Sequence, residues 1–560
     1  MSCALRHPGV DDADRLRNFI INGYNNYGLT WVLLAGDAGI VPYRKGTSEN
    51  FPPPPPQEKE EKLPPSDLHF SGMNGNWNAD GDEYWGEPTH DAVDIYPEVF
   101  VGRVLVRSPI EARNWVEKNL IYEQYGSTMP ELYAQTTWIY DSIGRINNPH
   151  GGPLYPLPET REKFPPYFTH FNFDSRWGYE VGEALKWGTG FYQIYLHGGP
   201  GVVTCDGRTC YHVYAYLRGS PYPEHGLNYL DNDGRYYVVY AISCWVAAYD
   251  SFGWNPYGFI PTDTTLADGF TDTYARKGAV AFLGNTRSGY YWSSHYLHDA
   301  FCRLLFGSEI APYSLGVIEG WSKVYYPSHW HLVHAHNLFG SPEIEPWINK
   351  PKEIFVDHPT FIPVGVPSEF TVRVRSDIGP LPNVRVCLYK RDPSTGLLDI
   401  YQIGWTDALG RVTFIIHPQS IGTLKVTCTR PRLLTTAIPE YTQYLPTRTI
   451  CRVGIGGDEG KDYKAAQRLE RPERLSLTTT SPIPNSGNLK VFYGLPENGR
   501  VKITLYDLSG RGMVLKDEMM GAGYYAETFS LNHTQLGKGI YWLQLRTEKE
   551  MLNRKLVLIR

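Results

Sequence analysis

Hydrophobic and polar positions follow two different rules along this chain. Up to about residue 348, short apolar runs alternate with amphipathic stretches. The runs are Trp31–Ala35 (WVLLA), a strand within Val93–Val106, Thr136–Tyr140, Phe191–Leu196 (FYQIYL), Tyr236–Ile242 (YYVVYAI) and Gly278–Gly284 (GAVAFLG). They are rich in β-branched and aromatic residues and show little polar alternation. That is the signature of strands buried on both faces, as in a parallel sheet. Between them, helical spacing predicts helices over Asp11–Tyr24, Pro109–Tyr125, Gly178–Trp187, Leu266–Tyr274 and Ser294–Phe306. The first has Leu16, Phe19 and Ile20 behind an acidic start, and the second offers Trp115, Leu120 and Tyr122 to the core. Strands alternating with helices predict one α/β unit, a mainly parallel sheet flanked by helices, over residues 1–348.

After Pro346 the helical period disappears. EFTVRVRS, VRVCLYK, GRVTFII and GTLKVTC alternate apolar and polar residues between turns, predicting an immunoglobulin-like β-sandwich over 349–452. Residues 453–480 carry glycine, charge and Ser/Thr without pattern and read as a linker. Strand patterns return in NLKVFYGL, RVKITLYDL, YYAETFSL, GIYWLQLR and NRKLVLIR, predicting a second β-sandwich over 481–560.

Length and composition narrow the field. At 560 residues the chain is too long for one core. A net charge of −6 gives no reason to expect nucleic acid as a partner. No apolar run reaches the roughly 18 residues that a membrane span needs. Eight cysteines at no regular spacing are not a disulfide scaffold. Cys205 and Cys210 could close a small loop, and Cys387 and Cys428 could pair across the first sandwich. Phe51 to Ser66, rich in proline and charge, is expected to be an exposed loop. The N-terminus has no apolar signal core and begins almost directly on a helix, so upstream sequence is expected to be missing.

Two strand ends carry chemistry. Tyr236–Ile242 stops at Ser243-Cys244, and Phe191–Leu196 stops at His197-Gly198-Gly199. In open α/β sheets, sites form beyond the carboxyl ends of strands. Two such strands side by side would bring a thiol and an imidazole together, the minimum for nucleophilic catalysis by cysteine. A buried cysteine alone is ordinarily an inert apolar residue, so the weight rests on the pairing. Separately, Asn76–Glu87 (NWNADGDEYWGE) follows the EF-hand pattern. Asn76, Asn78, Asp80 and Glu87, with the Tyr84 carbonyl, would offer oxygen ligands to calcium; the competing reading is an acidic surface turn. His329, His331, His334 and His336 crowd one stretch, but no acidic or cysteine ligand lies at a zinc spacing, so no zinc site is expected. Aromatics around Tyr211 to Tyr237 could line a peptide cleft, with core packing the favoured use.

LAGDAGIVP, NADGDEYWGE, DIYPEVFVGRVLVRSPIEA, LHGG, AISCWVAAYD, GAVAFLGNTRSGYY and NLFGSPEIEPW occur in that order over residues 29–348. Together they resemble the gingipain family of cysteine peptidases, of the caspase-like clan. SPIPNSGNLKVFYGLP, ITLYDLSGR, LGKGIYWLQL and KLVLIR resemble the type IX secretion sorting domain. The immunoglobulin-like stretch follows the same family layout. By position, the resemblance implies Cys244 as nucleophile and His197 as general base and acid. It puts the oxyanion donors on the Gly198 and Cys244 amides, and Asp141 as a group orienting the imidazole. It implies a secreted or surface-attached cysteine endopeptidase acting on proteins or peptides and exported by type IX machinery. The rivals are a transpeptidase of the same family and a non-catalytic surface adhesin on the same scaffold. The acidic residue that sets basic specificity in gingipains finds no match.

Overall fold

A computed structural model of the chain describes residues 4–47, 61–125, 129–140, 158–174, 178–205, 208–212, 226–250, 264–307, 313–327, 329–432, 443–454, 475–479, 488–507, 510–531, 536 and 539–558. The chain divides into two units. The first comprises Met1–Glu123, Glu131–Lys350 and Arg432–Gln443, and the second the remainder.

The first unit is built on an eight-stranded sheet. In chain order its strands are β1 (Trp31–Ala35), β2 (Phe100–Val104), β3 (Gln135–Tyr140), β4 (Thr169–Asp174), β5 (Phe191–Tyr195), β6 (Tyr237–Ala241), β7 (Ala279–Asn285) and β8 (His336–Phe339). Their spatial order is β1-β2-β8-β7-β6-β5-β3-β4. Every neighbouring pair is parallel except β7 and β8, where Phe282 faces Phe339 and Asn285 faces His336. The sheet is therefore mainly parallel, as expected, with one reversal that divides it into blocks of three and five strands.

The apolar runs of β5, β6 and β7 are continuous because both faces are covered, whereas the edge strand β1, expected to be buried, alternates and leaves Leu33 39% exposed. On one face Tyr192, Ile194, Tyr237, Val239 and Ala241 pack with Val181 and Leu185 of the helix Gly178–Trp187. On the other, the helix Tyr291–Phe306 sets His298 against Tyr195 (5.7 Å between ring centroids), Phe301 against Tyr240 (5.0 Å) and Phe306 against Phe191 (6.1 Å). Neighbouring strand residues point to opposite faces, so each face gathers its own aromatic set.

Two helices differ from expectation, for one shared reason. Leu266–Tyr274 is not a single α-helix. An α-turn, Leu266–Asp268, is closed by a capping box between Thr265 and Asp268, and a π-helical turn follows over Gly269–Thr273. Side chains of Pro109–Tyr125 donate to carbonyls of this turn and of the chain just after it. Lys118 Nζ donates to the Phe270 and Lys277 carbonyls (2.9 and 3.0 Å), and Asn114 Nδ2 to those of Asp272 and Thr273 (3.2 and 3.3 Å). The inward face of that helix therefore carries Asn114, Lys118 and Tyr122, and Leu120 is 43% exposed rather than a core contact.

From Pro351 onward the second unit is all β among its described residues. Phe355–Asp357, Ser368–Ser376, Gly379–Pro380 and Arg411–Ile416 form one sheet; Phe361–Pro363, Thr447–Gly454, Gly422–Thr429, Arg385–Arg391 and Leu398–Trp405 form another. Phe370 and Val372 of the first share a core with Val386, Leu388, Leu424 and Val426 of the second. Further along, a sheet holding Asn488–Leu495 and one holding Gly499–Asp507 and Gly539–Arg546 share a core that includes Val491, Ile503 and Leu543. The stretch read as linker contributes a strand to it: Ser476–Thr479 pairs with Asn488–Leu495, and Leu477 is buried.

The proposed Cys387–Cys428 bridge does not form; both thiols are free. Val386, not Cys387, stands opposite Cys428. A register offset of one sends the two side chains to opposite faces, with Cys428 in the core. Cys205 and Cys210 lie on antiparallel strands, Val202–Cys205 and Arg208–His212, but their side chains fall outside the described residues.

Candidate active site

β5 and β6 are adjacent and parallel, with Ala241 opposite Ile194, so both leave the sheet at the same edge. The pairing continues one step further, as Ile242 N–H donates to the Ile194 carbonyl (3.0 Å). Beyond it, His197–Gly199 turns into a ribbon with Val202–Cys205. At Gly198 the two exits touch. A Cβ there would collide with the Cys244 carbonyl oxygen and lie 2.8 Å from Ser243 Cβ and Val246 Cγ1. This close approach requires glycine at 198. The structure thus sets His197-Gly198 directly against Ser243-Cys244. The His197 side chain is exposed and Cys244 is half-buried.

The residue after Cys244 is held in a costly conformation. Trp245 has φ of 61°, which is unfavourable for a bulky side chain by about 1–3 kcal/mol. Its surroundings compensate. Trp245 N–H donates to the Arg287 carbonyl (3.0 Å), and the Arg287 guanidinium lies 4.7 Å from the indole centroid. That guanidinium is itself fixed by a two-pronged ion pair with Asp250, at 2.8 and 2.7 Å. The chain therefore turns sharply at Cys244, and its side chain is set at the sheet edge.

The thiol has a donor that sequence reasoning missed. Gly289 N–H points at Cys244 Sγ, 3.2 Å away. Burial pushes the Cys244 thiol up from its ordinary value, and the nearby Glu61 carboxylate adds to this; the Gly289 and Tyr290 amides and the Ser288 side chain act in the opposite sense. Ser288, Gly289 and Tyr290 lead into the helix Tyr291–Phe306. The run GNTRSGYY signalled this segment, but nothing in it indicated that its backbone meets the cysteine.

Asp141, the expected orienting group, lies outside the described residues, one position past the end of β3. In the EF-hand-like loop Gly81 has φ of 80°, the turn that the pattern requires. Asp80 and Glu87 come together, and His90, which the pattern did not include, joins them: the three offer ligand atoms within 4.8 Å of one another. Asn78 Oδ1 is buried with no hydrogen-bond partner. The Asn76 side chain instead accepts from Asn78 N–H (3.1 Å), and Tyr84 N–H is taken up by Asp82 (2.6 Å). The loop is closed by Asp91, whose carboxylate accepts from the backbone of Ala79, Gly86 and Glu87. The crowded histidines go to separate protein partners. His331 bonds the Ser288 carbonyl (3.1 Å), His334 the Gly86 carbonyl (3.1 Å), and His336 the Glu319 carboxylate (2.9 Å).

Comparison with known proteins gives this arrangement a family. Residues 4–347 match the profile of peptidase family C25. The chain belongs to peptidase family C25. It is a cysteine-type endopeptidase, and neither the transpeptidase nor the adhesin alternative is favoured. Residues 481–559 of this C25 peptidase match a secretion system C-terminal sorting domain, the mark of a type IX cargo that is secreted or held at the cell surface. Among its described residues no helix is long and apolar enough to cross a membrane. The fold is similar to the crystal structure of the Arg-specific cysteine proteinase gingipain R (RgpB). The two share 15% identity and a TM-score of 0.56 over 79% of this chain and 88% of that one. The complex of Porphyromonas gingivalis RgpB pro- and mature domains matches at 15% identity and a TM-score of 0.55, over 79% of this chain and 90% of that one. No curated protein sequence matches it.

Proposed function

We propose that Cys244 is the nucleophile of this peptidase and His197 its general base and acid. The observation that carries the reading is the junction at Gly198, where the histidine-bearing and cysteine-bearing strand ends meet backbone to backbone. His197 takes the thiol proton as Sγ attacks the substrate carbonyl carbon. It returns that proton to the leaving amine as the peptide C–N bond breaks, leaving a thioester on Cys244. Water, deprotonated by His197, then cleaves the thioester and restores the thiol. Because burial raises the thiol, proton removal is best coupled to attack rather than completed beforehand. The Gly198 and Cys244 amides are read as donors to the oxyanion, and Asp141 as the group that orients the imidazole.

The rest of the chain fits this role. Residues 1–348 form the peptidase, 349–452 an immunoglobulin-like sandwich that serves as a prop, and the last sandwich, nominally 481–560 and extended by the Ser476–Thr479 strand, the export address. Asn76–Glu87 is read as a calcium loop. Asp80 and Glu87 supply charge and Asn78 a neutral oxygen, while Asn76 and the Tyr84 carbonyl complete the expected set.

The test is digestion of a diverse peptide mixture by the full chain, with and without calcium, beside Cys244→Ala and His197→Ala. Loss of cleavage in both variants supports the pair, and the cut sites define specificity. Full cleavage by folded Cys244→Ala would overturn the assignment. Calcium is read separately: it should raise the Tm of the wild type, and Glu87→Gln should blunt that rise. An identical Tm with calcium and with chelator would remove the calcium reading.

A further inference from the structure

We infer that Glu61 and His331 are positioning residues: together they hold the Ser288–Tyr290 segment so that its backbone amides face the Cys244 thiol. The inference rests on the reading of Cys244 as nucleophile.

Ser288 is gripped from two sides. Its N–H donates to Glu61 Oε1 (3.0 Å), and its carbonyl receives His331 Nε2 (3.1 Å). A carbonyl can only accept, so His331 carries its proton on Nε2. The same nitrogen lies 3.9 Å from Glu61 Oε1. Glu61, Ser288 and His331 therefore form one cluster, built from three distant parts of the chain. The next residue, Gly289, is equally confined. Its carbonyl accepts from Ser294 Oγ, and a Cβ on it would collide with the Ile242 carbonyl oxygen. Tyr290 then adopts φ of 40°, a conformation that persists only where the surroundings impose it. The His329 and His331 rings flank its ring at 5.1 and 5.0 Å. The result of this confinement is a Gly289 N–H aimed at Sγ, beside the start of a helix, where amides favour a thiolate.

Several charged groups face this corner. Arg287 is neutralised by Asp250, which Lys45 also approaches at 3.5 Å. Burial lowers His331 to about 3 and also lowers His329, so both rings stay neutral near pH 7. His197 stands on the facing ribbon. That leaves Glu61 acting on the thiol in two opposed ways. Its charge disfavours the thiolate, while its acceptor oxygen holds in place the amide that favours it.

The opposition gives the test. Alkylation of Cys244 by iodoacetamide in the full chain is followed against pH by mass spectrometry of its peptide, a readout that needs no turnover. Glu61→Gln keeps an acceptor and removes the charge, so its midpoint should move to lower pH. His331→Ala loosens the segment with the Glu61 charge intact, so its midpoint should move up by about 0.5–1 pH unit, the equivalent of one hydrogen bond; Glu61→Ala loses charge and acceptor together, so its midpoint should lie above that of Glu61→Gln by a similar amount. For Glu61→Ala and His331→Ala, kcat should fall about tenfold with little change in KM, and His331→Gln, which restores a donor, should recover part of the loss. A purely structural role would lower Tm and leave the midpoints in place. An unchanged midpoint in folded His331→Ala, a Glu61→Ala midpoint no higher than that of Glu61→Gln, or Glu61→Gln moving upward would overturn the inference. Should Glu61→Ala not fold, Glu61→Gln and His331→Ala supply the opposed pair. Cleavage retained by Cys244→Ala would instead remove the nucleophile assignment, an outcome distinct from any alkylation profile.

Discussion

Two cysteines of this peptidase stand near a histidine, one at the edge of the sheet and one beneath it. Under the helix Tyr291–Phe306, Cys302 Sγ lies 3.3 Å from His298 Nε2, whose other nitrogen meets the Tyr195 hydroxyl at 2.6 Å. Thiol and imidazole are here in direct contact. Yet both residues are almost wholly buried (1% and 0% exposed). Burial drives the Cys302 thiol up, with Asp299 adding to it, and drives His298 down, with His295 and His336 adding to it. Neither side can carry charge, so the pair persists as a neutral contact. Cys244 sits half-buried at the strand exits, with a backbone donor on its sulfur and an exposed imidazole on the adjoining ribbon. The lesson is that nearness of thiol and imidazole does not make a nucleophile. The pair must also be reachable and able to hold the charge that the reaction creates.

The contrast can be broken most sharply by deletion. Cys244→Ala should lower kcat/KM by about 1,000-fold or more, whereas Cys302→Ala should leave it within about twofold. Peptide cleavage by the two folded variants checks this. His197→Ala should cost about 100- to 10,000-fold in the same cleavage assay, the range of a general base.

A third test carries the argument to carboxylates. Glu319 is as buried as Cys302, and burial alone would raise it. His336 at 2.9 Å and Lys323 at 3.4 Å outweigh that and hold it down to about 2. A folded-state value below the ordinary 4.5 means that its stabilisation is complete above pH 4.5 and is lost as pH falls toward 2. Glu319→Gln should cost about 3–5 kcal/mol at neutral pH and flatten that acid-side decline, as seen in denaturant midpoints between pH 5 and 2.5. The smallest effect should be that of Cys302→Ala on stability, about 1–2 kcal/mol for a small buried group, measured as a shift in denaturant midpoint.

Much of this was legible in the sequence. Continuous apolar runs identified the central strands because those are covered on both faces, and their final residues placed Cys244 and His197 at one edge. What was not legible depends on contacts far apart in the chain or on geometry without a residue code. Glu61 and Ser288 are 227 positions apart, and the Gly289 donor is backbone, which any residue but proline possesses. The inward face of Pro109–Tyr125 misled because its buried residues are polar, matched to the carbonyls of a π-turn that no periodicity announces. The Cys387–Cys428 pairing failed on a register offset of one, which spacing cannot reveal.

The reversal between β7 and β8 has a wider meaning. In a uniformly parallel sheet, one edge receives only chain that is leaving strands. Here β8 starts at His336 where β7 finishes at Asn285, so chain entering the sheet arrives beside chain departing from it. His331 belongs to the arriving segment and Ser288 to the departing one. The corner around the thiol thus draws on two kinds of connection, separated by the helices Tyr291–Phe306 and Leu315–Tyr325. A change in the arriving connection therefore reaches the thiol through the bond between His331 and Ser288, although the strand that carries Cys244 is untouched.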